Sequence, residues 1–159
     1  MARVFLDKYN GSPLFSPEAT VGIGMTNEMT DVCLVQLFLK AILQSQKTFL
    51  AGDTVFTPPD GGGTLEVSGV WDEASKRWLA RWETLLSEAR GYWAYGKNPT
   101  TLFPGTVVPY RQGGKKIIAM NEMATVMFGK DDFVKLNLPG GKLPVEAWKR
   151  LFYDPVYGP

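Results

Sequence analysis

The pattern of apolar and polar positions changes character several times along the chain, and each change marks an expected element. From Val32 onward, Val35, Leu39 and Ile42 recur at helical spacing, and Leu34, Phe38 and Leu43 widen the stripe. Thr30 or Asp31 offers a short oxygen-bearing side chain to cap this helix, which is expected to end between Gln44 and Lys47. A second helix is expected from an Asp72 cap to about Ala89, with Trp78, Leu79, Trp82, Leu85 and Leu86 on one broad face. Arg77, Arg81 and Glu83 fall off that face and read as solvated. Gly91 ends the helix. A short amphipathic helix starts at Pro144 and carries Trp148, Leu151 and Phe152.

The segments between these helices are punctuated by glycine and proline. Residues 1–29 read as an extended arm, in which Val4-Phe5-Leu6 suits a short strand before Gly11, Pro13, Pro17, Gly22 and Gly24. Phe49 to Thr64 holds Pro58-Pro59-Asp60 and Gly61-Gly62-Gly63, so a long exposed loop is expected, followed by a brief extended piece at Leu65-Glu66-Val67. A loop-rich stretch runs from Gly91 to about Gly114. Lys115 to Phe128 supports two readings: Ile117 to Met120 suits a strand, and Glu122 to Met127 a helical turn. Asp131 to Leu138 suits a short strand before the break at Pro139-Gly140-Gly141, and Pro155 and Pro159 bracket the tail.

Composition narrows the function classes. The chain has 159 residues, 45% of them hydrophobic and 13% aromatic, which suits a folded chain rather than a disordered one. Its 17 basic and 16 acidic side chains leave a formal charge of +1, which argues against a nucleic-acid backbone as partner. Histidine is absent, so the commonest general base and transition-metal ligand are both missing. Cys33 is the single cysteine and lies in an apolar run, where a buried inert thiol is expected. Asp131-Asp132 lacks the ligand spacing of a calcium loop, and neither a metal nor another cofactor is expected. Met1 to Phe5 lacks the apolar stretch of a secretory signal, and no segment is long enough to cross a bilayer. Cytoplasmic synthesis without membrane insertion is the expectation.

One third of the chain carries a family pattern. Asp31-Val32-Cys33-Leu34-Val35-Gln36 with Leu39, then Val67-Ser68-Gly69-Val70-Trp71-Asp72, Ser75, Trp78-Leu79 and Trp82-Glu83, keep the spacing of a two-part motif. That motif is D-V-x-x-L-Q followed by D-G-x-F-G-x-x-T-x-x-A-V-x-x-F-Q. The segment Asp31 to Glu83 thereby resembles the peptidoglycan-binding-like module, a small three-helix fold. The resemblance implies a mainly α fold: a helical module at 30–90, an irregular N-terminal arm at 1–29, and a loop-rich extension at 91–159 with a short helix. It implies core roles for Val35, Leu39, Leu79 and Trp82, and a turn at Gly69. The sequence departs from the motif at Ser68, at Trp71-Asp72 and in the Pro/Gly-rich connection, near the loop that helps frame the family's glycan groove.

Two further echoes lose to simpler readings. Gly91-Tyr92-Trp93-Ala94-Tyr95-Gly96-Lys97-Asn98 has phosphate-loop spacing, but Asn98 stands where a magnesium-binding hydroxyl is needed, and the segment follows a helix rather than a strand. Thr20-Val21-Gly22-Ile23-Gly24 echoes a hairpin of phage-type lysozymes, yet no glutamate precedes Glu18 and Asp7 is the only carboxylate upstream. No catalytic constellation emerges, so the chain is expected to be a binding or assembly component rather than an enzyme. The candidate binding residues are Trp71, Asp72, Tyr92 and Trp93, at loop and helix edges where an aromatic face can stack on a sugar or a protein. The expected partners are protein subunits of a phage virion or similar bacterial assembly, with peptidoglycan recognition as the alternative.

Overall fold

The structure, a computed structural model, describes residues 2–6, 13–49, 53–61, 63–89 and 104–153. It is helix-rich but mixed, rather than mainly α. Its spine is α1, Met29–Gln44, whose residues from Thr30 to Leu39 and from Ala41 to Leu43 are all buried. A stripe was expected there, but the sequence between Val32 and Leu43 is apolar on every side apart from Gln36 and Lys40. A helix of that kind must be enclosed all round. The enclosure comes from α2 (Glu73–Glu88), α3 (Lys115–Phe128), α5 (Val145–Tyr153) and two short strands. The proposed caps of α1 serve elsewhere. Glu28 precedes the helix without a side-chain cap, and the Ala2 and Ala19 N–H groups donate to Thr30 Oγ1 at 3.4 Å and Asp31 Oδ2 at 3.0 Å.

Those two bonds dock the N-terminal region. Strand β1 (Arg3–Leu6) pairs antiparallel with β2 (Pro13–Ser16), placing Phe5 opposite Leu14. β3 (Val21–Gly22) pairs with β4 (Thr106–Val107). Phe15 and Val21 are fully buried, so this region supplies core residues instead of lying as an extended arm. A hairpin this short is marginal alone. Here the Asn121 side chain of α3 accepts from Phe15 N–H at 2.7 Å and donates to Phe15 C=O at 2.8 Å, acting as a surrogate strand.

The C-terminal half differs most from expectation. Lys115 to Phe128 is one continuous helix, with Ile117, Met120, Ala124 and Met127 buried at helical spacing and no interior Gly or Pro. The strand expected at Asp131 to Leu138 is instead α4, Lys130–Val134. Asp131 and Asp132 suit its positive N-terminal end, and Phe133 alone is buried. The segment from Phe49 is irregular as expected but not wholly exposed, because Phe49, Phe56 and Leu65 are buried. Helix α5 follows Pro144, as its apolar spacing indicates. The buried apolar residues form one cluster running from Ala2 through α1 and α2 to Leu151, so described residues from each of the stretches 1–29, 30–90 and 91–159 share a core.

Candidate binding site around the Gly69 turn

Gln36 is fully buried on α1 and faces the chain just before α2. Its Nε2 donates to Val70 C=O at 2.8 Å and to Ser75 Oγ at 2.9 Å, while its Oε1 accepts from Gly69 N–H at 2.9 Å. One amide thus grips both limbs of the turn. Gly69 has φ +76°, and a Cβ there would lie 2.5 Å from Met29 Cγ and 3.0 Å from Met29 O, so the turn needs glycine for both torsion and space. Asp72 is the N-cap of α2, its Oδ1 accepting from Ser75 N–H at 2.8 Å and Ser75 Oγ–H at 2.7 Å. Burial pushes the Asp72 carboxyl up, but the two Ser75 bonds and the Arg77 charge outweigh it and hold the group below its ordinary value.

The structure therefore brings two of the four candidate residues, Trp71 and Asp72, into one turn. Asp72 is exposed, yet one of its oxygens is committed to the helix end. Trp71 is half-buried against the core, and among the described residues no acceptor meets its shielded Nε1. Tyr92 and Trp93, with Gly91 and the rest of the segment to Asn98, lie outside the described residues. The large apolar side chains exposed at the turn are Val70 and, on the facing helix end, Met29, with Ser68 and Asp72 exposed next to them; Ile23 and Met25 are exposed in the loop after β3, where Ile23 lies against Gly105. Motif reasoning missed these apolar side chains. The available signal was Ile23-Gly24-Met25, two apolar residues around a glycine just where the chain leaves a short strand.

Glu83 corrects the reading of α2's outer face. Its carboxylate pairs with Lys116 of α3, which is buried, and accepts Gly105 N–H at 3.1 Å. Lys116 Nζ also donates to Thr106 C=O at 2.9 Å. Burial lowers the Lys116 pKa, and the Glu83 bond and charge oppose that shift. Arg81 likewise turns inward to Thr57, donating to its Oγ1 at 2.8 Å, whereas Arg77 is exposed as expected. Cys33 is fully buried, and desolvation pushes its thiol up from 9.0 to about 11.

Among the described residues no helix is long and apolar enough to cross a membrane, and no group of three or more His, Cys, Asp or Glu side chains is placed to hold a metal ion. Comparison with family models, curated proteins and solved structures finds no match to this chain.

Proposed function

We propose that this chain is a non-catalytic structural or adaptor protein of a phage virion or similar bacterial assembly, using its peptidoglycan-binding-like module at 30–90 for protein contacts. The observation that carries the reading is the division of labour at the Gly69 turn. Gln36, Asp72 Oδ1 and Ser75 spend polar atoms on one another, and the large apolar side chains Val70 and Met29 stand exposed beside Ser68 and Asp72. Sugar recognition needs directional polar groups aimed outward at hydroxyls, whereas apolar side chains on a braced turn suit a protein surface.

Cell-wall recognition is the second reading, and Trp71 favours it as an indole that stays partly accessible beside the turn. A pull-down on purified, insoluble peptidoglycan separates the two. The protein is expected to stay in the supernatant. Saturable retention that is lost in Trp71→Ala overturns the assembly reading in favour of glycan binding, and turnover in a muramidase or amidase assay overturns the non-catalytic one.

A further inference from the structure

The Gly69 turn brings a thioether and a thiol together. Cys33 lies one turn after Met29 on α1, and its Sγ–H donates to Met29 Sδ at 3.9 Å. A Cβ on Gly69 would meet Met29 Cγ at 2.5 Å, Met29 O at 3.0 Å and Cys33 Sγ at 3.1 Å, so the Gly69 backbone closes on both residues at once. Gln36 supplies the polar hold on this turn, and Met29 with Cys33 supplies the packed wall.

The two sulfurs differ in what can reach them. Met29 is 40% exposed, whereas Cys33 is fully buried, and its thiol, pushed up to about 11 by desolvation, stays protonated at neutral pH. A covered, protonated thiol is a poor target for peroxide, but a thioether needs no deprotonation to react. Among the other described methionines, Met120, Met123 and Met127 are buried in α3, and Met25, 42% exposed, sits in the loop after β3. Met29 joins exposure to close packing against Gly69.

We propose that Met29 is a peroxide-sensitive modification site whose oxidation to methionine sulfoxide loosens the Gly69 turn. A lone pair of Met29 Sδ attacks one oxygen of hydrogen peroxide, a sulfur–oxygen bond forms and the O–O bond breaks. The departing hydroxide takes the proton left on the transferred oxygen and leaves as water. Sulfur is thereby oxidised by two electrons and the peroxide reduced by two. The product carries a strong acceptor and dipole where a soft apolar thioether lay. Burying that acceptor without a donor is unfavourable, so the side chain is drawn from Gly69 and Cys33 towards water. The turn then keeps its Gln36 bonds without the wall behind them, and the cover over Cys33 thins. The response is the same whether the turn meets protein or glycan.

Treating the full chain with hydrogen peroxide under native conditions tests this, with oxygen uptake at each methionine read by peptide mass spectrometry. Met25 and Met29 should be oxidised well before Met120, Met123 and Met127. As Met29 converts, Gly69 amide exchange and native labelling of Cys33 by a thiol reagent should each rise by about fivefold or more, the ratio expected when the support of one hydrogen bond is weakened. Exchange within α3 should keep its starting rate. Met25→Leu should respond as the wild type does, and Met29→Leu should show neither rise. Methionine sulfoxide reductases acting on the two epimers should reverse the change.

Conversion of Met29 no faster than that of the buried methionines overturns the proposal. So does Gly69 exchange or Cys33 labelling that stays unchanged at full conversion, or a Met29→Leu chain that responds like the wild type. A parallel rise throughout α3 marks general unfolding and overturns it as well.

Discussion

Replacing Gln36 with leucine keeps the volume of the side chain and removes its polar atoms from the Gly69 turn. Of the three groups that Gln36 holds, two retain other partners. Val70 C=O still accepts from Asp72 N–H at 3.0 Å, and Ser75 Oγ still donates to Asp72 at 2.7 Å. Gly69 N–H, which is buried, loses its acceptor. An orphaned buried donor costs about 1–3 kcal/mol, and refitting a branched side chain adds up to about 1 kcal/mol. The expected destabilisation is therefore about 1–4 kcal/mol, which at a urea slope of about 2 kcal/mol/M lowers the midpoint by about 0.5–2 M.

Urea unfolding followed by tryptophan fluorescence measures this, and amide exchange at Gly69 should accelerate in parallel. Because Ser75 shares the network, Ser75→Ala should cost less in the Gln36→Leu background than in wild type. A midpoint within about 0.3 M of wild type, or fully additive effects, would refute the idea that this amide holds the turn.

Other expectations follow from the buried groups and the shared core. Lys116→Met should cost about 3–5 kcal/mol by leaving the Glu83 carboxylate uncompensated, and adding Glu83→Gln should recover most of that loss in thermal unfolding. Cys33 should resist a thiol reagent until the chain is unfolded. Because its folded thiol releases its proton near 11 instead of 9.0, the folded state holds more protons between those values. Stability should be intact below pH 9 and fall by about 2–3 kcal/mol as pH rises through 11, a loss absent in Cys33→Ala. A fragment of residues 30–90 should give no cooperative unfolding transition, since α1 would lose its cover from α3 and α5; a sharp transition would establish an independent module.

Local chemistry was the part of the fold that could be read directly. Asp72, three residues before Ser75 and followed by tryptophans and leucines at helical spacing, specified α2 and its cap without tertiary help. Helix α1 was visible as a helix, but its all-round burial depends on what packs on its far side. The helix at Lys115 to Phe128 was hidden because the unbroken apolar run Ile117 to Met120 and the pairs Met123-Ala124 and Val126-Met127 blur its period. At Asp131, the apolar residues Phe133, Val134, Leu136 and Leu138 mimic alternation, while Gly129 at φ +87° starts a turn of helix instead. The site was legible at Trp71 and Asp72 for the same local reasons. The partners Gln36 and Gly69, or Glu83 and Lys116, lie 33 residues apart, so no local pattern could join them.

The Asn121 clasp on Phe15 also bears on when the chain can fold. Its two bonds join positions 106 residues apart. While the chain emerges from the ribosome, β2 therefore waits for most of the sequence before its outer backbone groups are satisfied. The N-terminal hairpin should stay protease-sensitive on stalled nascent chains until α3 is clear of the exit tunnel, with folding completed late and from both ends together.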